Sequence, residues 1–317
     1  MTTGRDLLVA APERWDEACF AVPAVRALVA ADMGIGVLCR VQQQAFWHSV
    51  AGVEVLAMPE KTTTKAVAAA LGKDWQAALL WEAGWAADAV KLARVARRVG
   101  PAGGKLTRRL THPLDWVESP LDHRVRFYLA AVEALGILTG NPEFFAAAEF
   151  GVQAPAHSVL LCPDSDFGAS HEWPLDRWLE LAKQLLHDEH QLTVAGLAGG
   201  RSLGQSLANS LGAQAGYFQA TPLAAALPVL AAQRLVVAAD GSLPHLAAHA
   251  GATCVTLFGP NDPQWKRPLG RRHAVVRRHV ECAPCLRAKC PLDLRCQGEL
   301  EPGRVWAALS VQPRGGS

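Results

Sequence analysis

Short apolar runs alternate with helical patterns through the first half of the chain. The runs that predict strands cover residues 7–10, 35–39, 53–57 and 77–81. Apolar residues at helical spacing predict helices over residues 18–31, 65–71, 87–99 and 125–135. Strands that alternate with helices are typical of a parallel sheet covered by helices on both faces.

The second half repeats this alternation. Strands are predicted over residues 158–162, 191–195, 235–239 and 254–258, and helices over 175–187, 202–211, 222–232 and 303–311. Between the halves, residues 139–157 break the periodicity with Gly, Pro and Asn. We therefore expect an α/β protein of two Rossmann-like, doubly wound domains, 1–150 and 151–317, that face an interdomain cleft.

Composition narrows the functional classes. The chain has 317 residues, 50% of them hydrophobic and 19% charged, as expected of a globular protein. A net charge of only +2 argues against a nucleic-acid partner. The first apolar run is too short for a signal peptide, and no stretch of about 18 apolar residues predicts a transmembrane helix. These features predict a cytoplasmic protein, in which Cys19, Cys39, Cys162 and Cys254 are reduced core residues.

The most informative stretch is residues 238–248, which follow a predicted strand and open a helix. Gly241 and Ser242 are small, so backbone N–H groups at the helix start can approach a pyrophosphate. His245 in the first turn can donate to a phosphate oxygen. The alternative is structural: Asp240 caps the helix, and His245 packs in the core.

Residues 157–300 resemble glycosyltransferase family 9, the heptosyltransferases. The family's order is Asp-Ser-Gly-Pro-x-His-Leu-Ala-Ala and then a strand that ends Phe-Gly-Pro, and this chain has DGSLPHLAA followed by GATCVTLFGP. Upstream, CPDSDFGASHEWPLDRW resembles the family's Pro-Gly-Ala-Glu-Phe-Gly-Pro-Ala-Lys-Arg-Trp-Pro loop. The first half matches more loosely, through PAVRAL at residue 23, RRVG at 97 and HRVRFYLAAVEALG at 123.

The resemblance implies a GT-B fold and assigns site residues. The family's proposed catalytic base is an Asp six residues before the Pro-Ala-Leu segment, which places Glu17 there, with Asp16 as the alternative. The donor-binding positions carried over are His171, Asp240, Gly241, Ser242, Leu243 and His245. This chain departs from the family's motifs in three places. It has Asp16-Glu17 where the family has Gly-Asp, His171 where the family's loop has Lys, and Asp-Gly-Ser from residue 240 where the family has Asp-Ser-Gly.

The implied function is an inverting glycosyltransferase that moves heptose from ADP-heptose to a lipopolysaccharide inner-core acceptor. The first domain would bind the acceptor and the second the donor, with no cofactor required and with peripheral contact at the inner face of the inner membrane. Two alternatives stay open: a degenerate homologue that binds nucleotide sugar or a partner without turnover, and a family member that uses another donor or a protein acceptor.

Four cysteines, Cys282, Cys285, Cys290 and Cys296, lie within fifteen residues near the C-terminus. Four thiolates suit a tetrahedral structural site for zinc or iron. The alternative is reduced thiols that pack a short loop. The family has a Cys-rich tail at the same place.

Overall fold

The computed structural model describes residues 4–115, 119, 121–198 and 202–310. The chain divides into two compact units, Met1–Ala146 and Ala147–Ser317. Each unit contains a six-stranded sheet whose described strand pairs are all parallel.

The first unit alternates strands and helices. Its strands are β1 (Leu7–Ala10), β2 (Ile35–Arg40), β3 (Val53–Met58), β4 (Ala77–Leu79), β5 (Arg97–Pro101) and β6 (His112–Leu114). Its helices are α1 (Trp15–Ala30), α2 (Gln44–His48), α3 (Thr64–Leu71), α4 (Trp85–Leu92) and α5 (Val125–Glu133). The strand order is β3-β2-β1-β4-β5-β6, in which the chain reverses direction across the sheet between β1 and β4.

The second unit has the same plan. Its strands are β7 (Ser158–Cys162), β8 (Gln191–Gly196), β9 (Ala215–Gln219), β10 (Leu235–Ala239), β11 (Thr253–Phe258) and β12 (Ala274–Arg277). Its helices are α6 (Leu175–His187), α7 (Leu203–Leu211), α8 (Leu227–Ala231), α9 (Ser242–His249), α10 (Pro263–Lys266), α11 (Arg295–Gly298) and α12 (Pro302–Ser310). The order β9-β8-β7-β10-β11-β12 places the corresponding reversal between β7 and β10.

This strand order decides where ligands bind. In open parallel sheets the crevice lies beyond the carboxyl ends of the strands, at the point where the strand order reverses. We therefore expect ligands to bind beside the loops after β1 and β4 in the first unit and after β7 and β10 in the second. Residues at 0% exposure fill the centres of both sheets, such as Leu8 and Val9 of β1 and Val236 and Val237 of β10.

The predicted helix over residues 87–99 is confirmed as far as Leu92 and is wrong beyond it. Helix α4 ends at Leu92, and Arg94 takes a left-handed backbone conformation with φ of 59°. The following residues form β5, which pairs with β4. Backbone pairing in the sheet therefore prevails over the local helical pattern of an arginine-rich segment. The strands β6, β9 and β12, which the sequence pattern did not predict, each lie at the edge of a sheet.

The described part of the chain contains no helix that is long and apolar enough to cross a membrane. Cys19, Cys39, Cys162 and Cys254 are buried free thiols, as expected from their apolar surroundings. Burial raises the pKa of the Cys39 thiol to about 12, so that this thiol stays protonated and unreactive at neutral pH.

Candidate functional site

In the second unit, the loop after β7 meets the turn after β10. The Ser165 hydroxyl donates to the backbone oxygen of Asp240 at 2.6 Å. His171, from the same loop, places its Nδ1 2.9 Å from Asp240 Oδ2. The carboxyl ends of the two strands at the reversal point are thus joined by direct side-chain contacts.

Asp240 is the centre of this cluster and is 0% exposed. Its Oδ2 also accepts a hydrogen bond from Asn261 Nδ2 at 2.7 Å, whereas its Oδ1 has no hydrogen-bond partner among the described residues. Burial raises the pKa of this carboxyl, while the His171 hydrogen bond and charge, the Asn261 hydrogen bond and the Lys266 charge oppose the rise. A buried acceptor oxygen without a hydrogen-bond partner is suited to a donor group on a bound ligand.

Sequence reasoning missed Asn261 and Lys266. Asn261 follows the Phe-Gly-Pro end of β11, and Lys266 ends the short helix α10. Lys266 is only 5% exposed, and its ammonium lies 4.9 Å from the centre of the Trp265 ring. A buried cation beside Asp240 is the type of group that balances the charge of a leaving diphosphate. The signal in the sequence was the polar stretch directly after a buried strand.

The amino end of α9 is already in contact with a carboxylate. Asp166 Oδ1 accepts from the backbone N–H of Ser242 at 2.7 Å, and Asp166 Oδ2 accepts from its hydroxyl at 2.6 Å. A Cβ at Gly241 would lie 2.9 Å from Asp166 Oδ1, so a glycine there leaves room for the carboxylate. The expectation of free N–H groups at this helix start is therefore corrected for Ser242, because the chain's own carboxylate binds that N–H group.

The other predicted donor residues are buried. Leu243 is 3% exposed and His245 is 2% exposed, both in the first turn of α9. The structure thus brings all six residues of the predicted donor site to the turn after β10 or beside it, with His171 reaching it from the loop after β7.

In the described part of the Gly-rich turn after β8, a carboxylate of the chain itself binds the backbone N–H groups. Asp164 Oδ2 accepts from Leu197 N at 2.7 Å and from the Ser202 hydroxyl at 2.6 Å, and its Oδ1 accepts from Gly204 N at 3.1 Å. Residues 199–201 of this turn lie outside the described residues. A carboxylate from the loop after β7 therefore occupies the start of α7 as well.

In the first unit, both candidate bases lie in the first turn of α1, directly after β1. Asp16 is 0% exposed and accepts from Arg14 Nε and Nη2 at 3.1 and 3.0 Å. Glu17 is 9% exposed, and its Oε2 accepts from Tyr128 Oη at 2.6 Å and from Arg124 Nε at 2.8 Å. Burial, and then the charge of Glu17, hold the pKa of Tyr128 well above its usual value, so that the phenol stays a donor.

A further carboxylate, missed from the sequence, lies at the same reversal point. Glu82 follows β4, and its Oε1 accepts from the Glu13 N–H at 3.3 Å. Desolvation raises the pKa of Glu82, as do the neighbouring charges of Glu13 and Glu17, while the Glu13 N–H and Arg124 oppose the rise. The raised pKa means that Glu82 accepts a proton more readily than an exposed glutamate does.

The four C-terminal cysteines are free thiols: Cys282 is exposed, Cys285 and Cys290 are half-buried, and Cys296 is buried. The pKa of Cys296 is raised, first by burial and then by the other three thiols. The four are therefore neighbours. Among the described residues, however, no group of three or more His, Cys, Asp or Glu side chains has the arrangement of a metal site. The expected ligand geometry is not formed.

A cavity of about 1330 Å³ lies at the opposite edge of the second sheet. Its walls include the amino ends of strands, such as Ser158 of β7 and Leu235 of β10. It is separate from the contacts of Asp240, and it lies at the edge where parallel sheets seldom bind substrates.

Comparison with known proteins places this geometry in a family. Residues 133–295, just over half of the chain, match the sequence profile of glycosyltransferase family 9 (heptosyltransferase). The chain belongs to glycosyltransferase family 9. Lipopolysaccharide heptosyltransferase 2 of Salmonella typhimurium is 28% identical over 135 residues, which are 41% of this chain and 39% of that protein. Lipopolysaccharide heptosyltransferase 1 of Pseudomonas aeruginosa is 27% identical over 196 residues, 60% of this chain and 53% of that protein.

These alignments span about two fifths to a half of the curated relatives. Superpositions on solved structures cover nearly the whole of both chains. The ADP-heptose lipopolysaccharide heptosyltransferase II of E. coli superposes with a TM-score of 0.78 at 19% identity, over 96% of this chain and 97% of that one. An E. coli heptosyltransferase with ADP superposes with a TM-score of 0.76 at 16% identity, over 96% of this chain and 99% of that one. At such identity the likeness establishes the fold, which is the GT-B fold with one parallel sheet in each unit.

Proposed function

We propose that this family member transfers heptose from ADP-heptose to a lipopolysaccharide inner-core acceptor, with inversion at the anomeric carbon. The observation that carries the proposal is the buried Asp240, bonded by His171 and Asn261 directly before α9. Family membership supports the donor and acceptor classes, because the matched relatives are lipopolysaccharide heptosyltransferases and solved neighbours contain ADP or ADP-2-deoxy-2-fluoro heptose.

We assign donor binding to the second unit. The leaving ADP builds negative charge on its diphosphate, which is stabilised by donors and cations already in place. The amino end of α9 and the buried Lys266 supply such charge next to Asp240. His171 stands where the family has a lysine, so this chain places an imidazole at that position. No cofactor is part of the proposed transfer.

We assign acceptor activation to the first unit. The attacking sugar hydroxyl must lose its proton as the glycosidic bond forms, and a carboxylate accepts it. Glu17 is the proposed base and Asp16 the alternative. Arg124 and Tyr128 fix the position of the Glu17 carboxylate through hydrogen bonds to one of its oxygens. The same proposal places the reaction at the cytoplasmic face of the membrane that carries the glycolipid acceptor.

One observation favours a second candidate, a homologue that binds nucleotide sugar or a partner without turnover. The Asp166 carboxylate bonds to the amino end of α9, where the proposed diphosphate would lie. Two anions at one helix terminus repel each other, and the binding of a diphosphate there requires Asp166 to move.

An ADP-release assay separates the candidates. The purified chain is incubated with ADP-heptose and with lipopolysaccharide from a strain that lacks inner-core heptose. Acceptor-dependent release of ADP, with heptose added to the acceptor by mass spectrometry, supports the transfer. ADP binding by calorimetry without release supports the second candidate. A chain that binds neither ADP nor ADP-heptose contradicts the transfer and the binding of nucleotide sugar, and leaves only the binding of a partner.

A further inference from the structure

Charge is distributed unevenly along the chain. Residues 267–296, called here the basic segment, carry eight Lys or Arg and two Asp or Glu, which gives a net charge of +6. The remaining residues carry a net charge of −4. The overall value of +2 therefore conceals a strongly cationic segment on a chain that is otherwise acidic.

Three of the exposed large apolar side chains lie within this segment. Leu286, Leu292 and Leu294 are 58%, 66% and 38% exposed. They belong to residues 281–294, called here the leucine loop, which contains no helix or strand of its own. Leu286 and Leu294 each have a left-handed backbone conformation with φ of 56°, which is unfavourable for a residue with a Cβ. Such strain persists only where surrounding structure maintains it, and it concentrates at functional places.

The leucine loop is anchored to the carboxyl edge of the second sheet. Leu286 N donates to Pro260 O at 2.9 Å, just after β11, and Ser170 N donates to Ala288 O at 3.4 Å. Ser170 precedes His171 of the candidate donor site. The part of the leucine loop around Leu286 therefore lies at the same edge of the unit that holds the Asp240 cluster.

Exposed basic side chains belong to the same segment as these leucines. Arg271, Arg287 and Lys289 are exposed, and none forms an ion pair with an acidic side chain among the described residues. Arg295, by contrast, pairs with Asp293 at 2.8 Å. Exposed leucines flanked by unpaired cations match the boundary of a bilayer with anionic head groups. A single-stranded nucleic acid would instead call for exposed aromatic rings, and the leucine loop has none.

We propose that the leucine loop and the cations beside it dock this protein on an anionic lipid surface. Docking by this loop turns the carboxyl edge of the second unit toward the membrane. The link to a glycolipid acceptor rests on the proposed function, but lipid binding itself does not, and it can be measured on protein that has no transferase activity.

The test is co-sedimentation of the full chain with vesicles of phosphatidylcholine alone or of phosphatidylcholine with phosphatidylglycerol. We expect binding to the anionic vesicles that weakens with added salt, since surface charge is screened. The double variant Leu286→Ser with Leu292→Ser should bind at least about tenfold more weakly, because two apolar side chains no longer enter the interface. Arg287→Glu with Lys289→Glu should lose at least about tenfold as well.

Matched controls are available on the same chain. Leu138→Ser removes a leucine that is 89% exposed in the first unit, and Lys65→Glu with Lys183→Glu makes the same change in net charge outside the basic segment. Both should bind like the parent chain, and circular dichroism checks that each variant is folded. Hydrogen exchange on the unmodified chain provides a second measurement, with slower exchange in residues 281–296 expected on anionic vesicles.

Several outcomes would overturn the proposal. These are equal sedimentation with neutral and anionic vesicles, equal losses in the control variants, and unchanged exchange of the leucine loop. Salt-sensitive binding to a single-stranded RNA without binding to vesicles would assign the basic segment to nucleic acid. Lipid binding by a chain that fails the ADP-release assay would leave the docking surface standing and remove only its link to heptose transfer.

Discussion

The carboxylate of Asp166 binds the amino end of α9 through two atoms of Ser242, its backbone N–H and its hydroxyl. This is the arrangement of a helix cap, but the capping side chain comes from a loop 76 residues away. Capping stabilises the free helix and places a negative charge where the proposed donor diphosphate binds. The same contact therefore favours folding and opposes nucleotide binding.

Replacing Asp166 with Asn should strengthen ADP binding and weaken the fold. Asn keeps a hydrogen-bond acceptor for the Ser242 N–H group but removes the charge that repels the diphosphate. We expect roughly tenfold tighter binding, as one nearby like charge in a partly solvated site is worth on the order of 1–2 kcal/mol. The free energy of unfolding should fall by about 0.5–1 kcal/mol through the loss of charge at the helix terminus. Calorimetric titration with ADP and urea unfolding measure the two effects.

Asp176→Asn is the matched control, because Asp176 lies in the first turn of α6 in the same unit. It should leave ADP affinity unchanged. Weaker ADP binding by Asp166→Asn would show that the carboxylate assists the donor, and the competition would then be rejected.

Gly241→Ala tests the packing behind this cap. Gly241 has a φ of −176°, which any residue adopts, so the substitution causes no backbone strain. It destabilises the fold only through a close contact, because the new methyl group would lie 2.9 Å from Asp166 Oδ1. We expect the substitution to displace the carboxylate and to lower the free energy of unfolding by about 1–2 kcal/mol. In an Asp166→Ala background the same substitution should cost far less. A double-mutant cycle by urea unfolding measures this coupling, and additive effects would show that the two residues do not interact.

The sequence could predict the position of the site better than its contacts. Fully apolar runs at residues 7–10 and 235–239 locate two strands correctly, and ligands lie beyond their carboxyl ends in such sheets. The partners of the site residues come from distant loops: Tyr128 is 111 positions from Glu17. Which loops meet depends on strand order and register, which local periodicity does not encode. Asp166 and Glu82 were therefore overlooked, although each follows a strand beside the reversal point.

His273 should make the free energy of unfolding depend on pH. Burial, and next the charge of Arg272, lower the pKa of His273 to about 4, and its Nδ1 accepts a hydrogen bond from the Cys254 N–H at 3.1 Å. The unfolded chain binds this proton near pH 6.5 and the folded chain only near the lower value. Stability from this group is therefore complete above about pH 6.5 and is lost as the pH falls toward about 4, by on the order of 1–3 kcal/mol.

Urea unfolding near pH 7 and near pH 5 measures this loss. In His273→Asn, which keeps an acceptor for Cys254 but does not titrate, the difference between the two pH values should shrink by about 1 kcal/mol or more. His279→Asn, at an exposed histidine, should behave like the parent chain. An unchanged pH dependence in His273→Asn would show that the imidazole is protonated in the fold without cost.

Glu17→Gln should lower the rate of heptose transfer by about 10²–10⁴, the usual effect of removing a general base. Gln preserves size and can still accept from Tyr128 and Arg124, so the fold and ADP affinity should stay nearly unchanged. Asp16→Asn should slow transfer less, because both Asp16 carboxylate oxygens are already bonded to Arg14. Initial rates at saturating ADP-heptose, together with ADP titrations, make the comparison.

Tyr128→Phe tests how far the positioning of Glu17 contributes to the rate. The phenol donates to Glu17 Oε2 at 2.6 Å, and Arg124 donates to the same oxygen at 2.8 Å. Because Arg124 still holds the carboxylate in this variant, heptose transfer should slow by less than in Glu17→Gln, with ADP affinity nearly unchanged. If Asp16→Asn slows heptose transfer more than Glu17→Gln does, the general base is Asp16. If neither change slows an active enzyme but Glu82→Gln does, the proton passes to Glu82, whose raised pKa already suits it for that task.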